Sequence, residues 1–344
     1  AYATLLSLIK NDTSNLKAYL KLGQVLREIG NPERALKIHR SLLIRKDLTT
    51  YENIELLKNI TLDYKHLKKI EDSIVQCLNI LKIEKKNEWA LLELIDLYKS
   101  VDDWNSSQKY LEIYQKMTGN LDSRILGLYL IKQGQIEFDK KDFIRARSLF
   151  EEGLNMHNEL GICYKLIGDT YSEESEIEYQ RSTEEAVGEA IDKAKELLSK
   201  ALPMWVKYAQ HKPRQSGHVI HLIKDSLFAL DRYSELEHIL KDLIERDSDN
   251  ISALIMLADY YSLQGENQKS VSLLDSLKGK EKESILAGMV RLRLRFNISE
   301  SITDEMKDEF NNLTNEMSKR NQGYSSTLKD EDLEWLSENE YSKE

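Results

Sequence analysis

The feature that most constrains this chain is a pair of small residues set twelve apart between two apolar stretches. In "LGQVLREIGNPERALKIHRSLL", residues 22–43, the small pair is Gly23 and Ala35, and Tyr19, Leu22 and Leu26 share a helical face with Gly23. "GNPE" at 30–33 supplies a turn, and Pro32 falls where a second helix starts, so its missing N–H leaves no bond unmade. Ala35, His39, Leu42 and Leu43 make the matching face of that second helix. Small residues at the crossing let two antiparallel helices touch, and larger ones would push the axes apart and open voids. A chain that repeats this device is confined to stacked helix pairs.

It does repeat. Leu57, Ile60, Tyr64, Ile70, Ser73 and Cys77 form a second copy, and residues 90–114 a third, with Leu91, Leu94, Tyr98, Trp104, Ser107 and Leu111 in the same roles. Residues 131–154 are a fourth, with Gly134, Phe143, Ala146 and Phe150. The fifth opens at Leu166-Ile167-Gly168 and Tyr171 and closes over 192–202; a degenerate sixth spans 226–247. The seventh, 251–277, carries Leu257, Ala258, Tyr261 and Gly265. Two antiparallel helices in about 34 residues is the tetratricopeptide pattern. The expected fold is therefore all-α, a right-handed superhelical solenoid of tetratricopeptide helix pairs.

Two departures refine the expectation. In the fifth copy Gly168 and Ala194 stand 26 apart instead of 12, an insertion of 14 residues, which reads as both helices lengthened by about two turns. Counting back 34 residues from the first copy puts Ala1, Leu5 and Leu8 in second-helix positions, so the chain is expected to begin inside a repeat. The predicted organisation is an array over 1–280 with an extended hairpin near 170–195, then a terminal helix pair over 281–320. That pair carries Ile302, Met306, Phe310, Leu313 and Met317 at helical spacing. Residues 321–344, with seven acidic and two basic side chains, are expected to be disordered.

Composition agrees and excludes several functions. Three prolines and 14 glycines in 344 residues, with 31% charged residues, suit a nearly all-helical chain. A net charge of −10 argues against a general nucleic-acid binder, which needs a basic face to displace counterions. Two cysteines, Cys77 and Cys163, exclude a disulfide framework and a four-cysteine zinc site within the chain. No stretch reaches the roughly 18 to 20 apolar residues that span a bilayer. The chain starts with Ala1, so a membrane segment upstream would lie outside it.

The chemical constellations read as packing. His218, His221 and Asp225 fall on one helical face at i, i+3 and i+7, a spacing that could hold a metal or anchor an enzymatic site within 155–225, but no fourth ligand is near. Cys77 and Cys163 have no neighbouring base and read as small buried hydrophobes. "SEESEIE" (172–178) lacks the ligand spacing of a calcium loop, and "LEWL" (333–336) reads as part of the disordered end. The first helices of stacked repeats line the groove where such arrays bind. Through the first three copies the register presents Lys17, Gln24, Arg27, Lys58, Lys65, Trp89, Asp96 and Lys99 to it. Five of these eight are basic in an acidic chain. They suit an acidic or extended partner segment, with Trp89 as aromatic anchor. The clamp for acidic C-termini wants Lys then Asn four residues on; Leu20 and Gln24 stand there instead.

With that register in place, "LGQVLREIGNPERALKIHRSLL" (22–43), "ITLDY" (60–64), "ALLELIDLYKSVDDW" (90–104) and "IMLADYY" (255–261) resemble the lipopolysaccharide assembly protein B family. The resemblance runs over about residues 1–300. It implies a non-catalytic adaptor on the cytoplasmic side of the bacterial inner membrane, which links the LpxC deacetylase to the FtsH membrane protease. It also implies an N-terminal membrane helix and a C-terminal zinc ribbon with two Cys-x-x-Cys pairs. Residues 321–344 contain no cysteine, so no cofactor is expected in this chain. The alternative is a general scaffold for another envelope or cytosolic complex.

Overall fold

The computed structural model describes residues 2–182, 187–277, 285–298 and 302–320, with Trp335 besides. Among the described residues all regular structure is helical. The helices are α1 (Tyr2–Asn11), α2 (Leu16–Glu28), α3 (Pro32–Leu42), α4 (Thr50–His66), α5 (Ile70–Ile83), α6 (Glu88–Lys99), α7 (Trp104–Thr118), α8 (Ser123–Asp139) and α9 (Phe143–Met156). They continue as α10 (Ile162–Ser182), α11 (Val187–His211), α12 (Gly217–Ala229), α13 (Leu236–Arg246), α14 (Ile251–Leu263), α15 (Asn267–Ser276), α16 (Ile285–Ile298) and α17 (Asp304–Arg320). Two compact units divide them, one on residues 2–129 and the other on the described residues from 130 to 320. Expectations for residues 321–344 and for the Met317 side chain fall outside what the structure describes.

Local chemistry starts and stops these helices at fixed points. Asn15, Asn87 and Asn250 cap α2, α6 and α14, each side chain accepting from the backbone N–H three residues on. Thr49 and Glu52 form a reciprocal capping box on α4. Within six helix pairs one residue adopts the left-handed conformation: Gly30, Lys68, Asp102, Lys141, Asp231 and Gly265, with φ between 56° and 80°. After each, the next N–H donates back to a carbonyl five residues earlier, from Asn31 to Leu26 through Glu266 to Tyr261, at 2.8–3.0 Å. This is the Schellman stop, which satisfies carbonyls the helix end leaves open.

Five residues past each of these turns stands a fully buried residue of the second helix: Ala35, Ser73, Ser107, Ala146, Leu236 and Ser270. The close crossing is solved in two ways. Where the second helix has serine, its hydroxyl donates to the first-helix carbonyl twelve residues back: Ser73 to Thr61 (3.2 Å), Ser107 to Ile95 (2.8 Å) and Ser270 to Ala258 (2.6 Å). Where it has alanine, the first helix has glycine, and a ring four residues after the alanine lies on that glycine. His39 covers Gly23 and Phe150 covers Gly134, so closely that a Cβ on either glycine would overlap the ring.

The fifth pair corrects the sequence reading. Gly168 lies under the ring of Trp205, so its partner is Ala201, four residues before the ring, and not Ala194. Ala194 sits further out along the hairpin, its carbonyl accepting from Ser175 Oγ at 2.8 Å. The insertion is 21 residues, about six turns shared by α10 and α11. Ala194 and Ala201 are seven residues apart on one helical face, which is why spacing alone selected the wrong alanine. In the sixth pair Leu236 holds the small position opposite Lys224, and the backbones of α12 and α13 approach each other at few points.

Candidate protein-interaction face

In the first unit the exposed faces of α2, α4 and α6 carry the residues singled out by the register. Lys17, Lys65 and Asp96 are exposed; Gln24, Lys58, Trp89 and Lys99 are half-buried. Gln24 accepts from Lys21 at 2.9 Å and donates to Glu28 at 2.8 Å. Lys58 reaches from α4 over the ring of Trp89 on α6, 5.6 Å from its centroid, and pairs with Glu55 at 2.8 Å. The Lys58–Trp89 pair joins two consecutive first helices on one surface.

Arg27 is a correction. It is buried, and its guanidinium donates to Asp63 Oδ1 at 2.5 Å and to the Asn59 carbonyl at 3.2 Å. The other oxygen of the fully buried Asp63 stands 2.5 Å from His39 Nδ1. The three side chains come from α2, α3 and α4, and tie the first pair to the second. Lys65 and Lys99, at the register position of Arg27, also make contacts along the stack: Lys65, still exposed, pairs with Glu93 on α6, and Lys99 pairs with Asp96 of its own helix at 3.8 Å and lies 5.6 Å from the Tyr129 ring. Each reaches a side chain of the next first helix.

The second unit holds features that a projection through three copies did not reach. Phe228, on α12, is 73% exposed and meets Tyr233 edge-on, which in turn meets Tyr260 on α14 at 5.5 Å between centroids. Asp259 on α14 pairs with Arg293 on α16, 34 residues later. Carrying the 34-residue register past the third copy reaches Phe228, Asp259 and Arg293.

The remaining candidates have structural surroundings. His218, His221 and Asp225 lie exposed along α12, and among the described residues no three His, Cys, Asp or Glu side chains gather as metal ligands would. Cys77 and Cys163 are fully buried. Burial pushes the Cys77 thiol up to about 12, against the opposing contact with Thr61 Oγ1. In the acidic stretch 172–178, Glu174 meets Arg147 at 2.7 Å and Glu178 meets Lys193 at 2.7 Å, the latter bond holding the Glu178 carboxyl below its usual range. The first pair ties the long hairpin to α9, and the second ties α10 to α11. Among the described residues no helix is long and apolar enough to cross a membrane.

No family model matches the chain. Lipopolysaccharide assembly protein B of Escherichia coli K12 is 23% identical over 203 residues, covering 58% of this chain and 50% of that protein. The same protein from Escherichia coli O157:H7 matches over the same shares, so the chain spans about half the length of these curated relatives. Among solved structures, the MamA protein aligns over 57% of this chain and 93% of its own at 15% identity, with a TM-score of 0.33. A tetratricopeptide repeat protein from Parabacteroides merdae covers 86% of this chain and 91% of its own at 12% identity, with a TM-score of 0.31. The relatives are of the kind the repeat segments resemble.

Proposed function

We propose that the chain is a non-catalytic scaffold that holds protein partners on the first-helix face of α2, α4 and α6. One observation carries this: Lys58 and Trp89, from two different repeats, meet at the surface with exposed charges on either side. An aromatic ring with a cation is a surface that anchors a partner segment. In finer terms the chain is an adaptor resembling lipopolysaccharide assembly protein B, which brings the LpxC deacetylase to the FtsH protease at the cytoplasmic face of the inner membrane. The weak sequence match and the shared repeat segments support that reading.

Two measurements test it. Depleting the protein in its host raises the deacetylase level if the adaptor reading is right; an unchanged level removes it and leaves a scaffold for another complex. Affinity purification from native membranes recovers the protease with the natural protein and loses it with Trp89→Ala combined with Lys58→Glu. Equal recovery from both proteins removes this face as the binding surface.

A further inference from the structure

The second unit carries an apolar groove. It lies between α16 and α17, encloses about 640 Å³, and is walled by Met289, Phe296, Ile302, Met306 and Phe310. Phe296, Ile302 and Phe310 are each 45–52% exposed. Bulky apolar side chains grouped at this exposure mark an interaction site more than ordinary surface. The groove is too narrow for a folded domain and has the volume of a few side chains.

Its charge points to the occupant. Two cations, Arg293 and Lys307, line it, with no carboxylate among the lining residues, in a chain where acids outnumber bases 59 to 49. Lys307 is paired with Asp304 at 2.8 Å, so Arg293 is the cation that matters. Arg293 gives one end of its guanidinium to Asp259, yet its Nε is buried with no hydrogen-bond partner. A buried donor left unmatched is destabilising and is usually answered by an acceptor. Burial also pulls the Arg293 pKa below its ordinary value, so a further anion would be welcome there.

We infer that this groove takes a short segment of a partner protein that offers two or three bulky apolar side chains beside a carboxylate. The apolar side chains fill the α16–α17 cleft, and the carboxylate meets Arg293. The inference rests on the scaffold reading but uses a separate surface, in the other unit from Trp89.

The test uses the full chain and a fluorescent twelve-residue probe peptide containing two leucines, a tryptophan and four glutamates. Fluorescence anisotropy is expected to show saturable binding, at least ten-fold weakened by Arg293→Gln and by Phe310→Ser. A peptide with lysines in place of the glutamates binds at least ten-fold more weakly. Ile144→Ser, which removes an isoleucine exposed on α9, leaves binding unchanged, as does Trp89→Ala; circular dichroism checks that every variant is folded. No saturable binding, or equal binding of the acidic and basic peptides, overturns the inference whatever becomes of the Trp89 face. So does a ten-fold gain in affinity on changing Leu333 and Leu336 to serine, which would make the chain's own C-terminal residues the occupant. A dimer broken by Phe296→Glu would make it a second copy and overturn the inference equally.

Discussion

Single residues decide how closely each helix pair can cross. Gly134 and Phe150 form one matched set, Ile95 and Ser107 another, and mixing them is expected to fail. Gly134→Ala should destabilise the protein by about 1 to 3 kcal/mol, because the new methyl overlaps the Phe150 ring. Adding Phe150→Leu should recover part of the loss, read in guanidinium melts as a coupling of about 0.5 to 3 kcal/mol. Additive effects would show that ring and glycine do not sense each other. Lys141 holds a left-handed backbone in its turn at φ 63°, and Lys141→Gly should gain about 0.5 to 1 kcal/mol. The glycines and alanines were legible in the sequence because their spacing repeats. Lys68 and Lys141 were not, since their left-handed geometry is imposed by the helices they join and no residue preference announces it; Asp102 and Asp231 carry only the modest preference of aspartate for that region.

At the scale of the element, most of the helices follow from periodicity and caps, while what links them does not. Arg27 and Asp63 are 36 residues apart, and nothing in either neighbourhood says that they meet. Reading Arg27 as a surface cation followed from its register position; a carboxylate one repeat on reverses that. Asp63→Ala should destabilise the first unit by about 3 to 5 kcal/mol, because Arg27 and His39 would keep their burial and lose their carboxylate. A change below about 1 kcal/mol in a thermal or denaturant melt would mean the trio is not buried together. The packing of α4 and α5 is also readable through Cys77. With its pKa near 12, about one thiol in ten thousand is ionised at pH 8, and the group is sheltered as well. A disulfide reagent should therefore label neither Cys77 nor Cys163 in the folded protein and both after unfolding. Prompt labelling of the folded chain would contradict the packing. The length of the α10–α11 hairpin was the element most misread, because a seven-residue shift along a helix keeps the same face inward.

For the whole molecule, a scaffold reading places function in surfaces and leaves the interior to hold them in order. The Lys58–Trp89 face was legible from register alone; the α16–α17 groove needed the fold, since its walls come from two helices whose joint use no motif records. Unequal joints matter as much as surfaces do. A stack held by neighbours is only as strong as its poorest contact, and in the second unit α12 and α13, with Leu236 where others have alanine or serine, approach each other at few points. Stretched in optical tweezers, that unit should tear there first, and Leu236→Ala, which opens a cavity at this buried position, should lower the force of the first rip further. The degenerate repeat would then serve as a mechanical fuse, yielding under tension so that the better-matched pairs on either side stay whole.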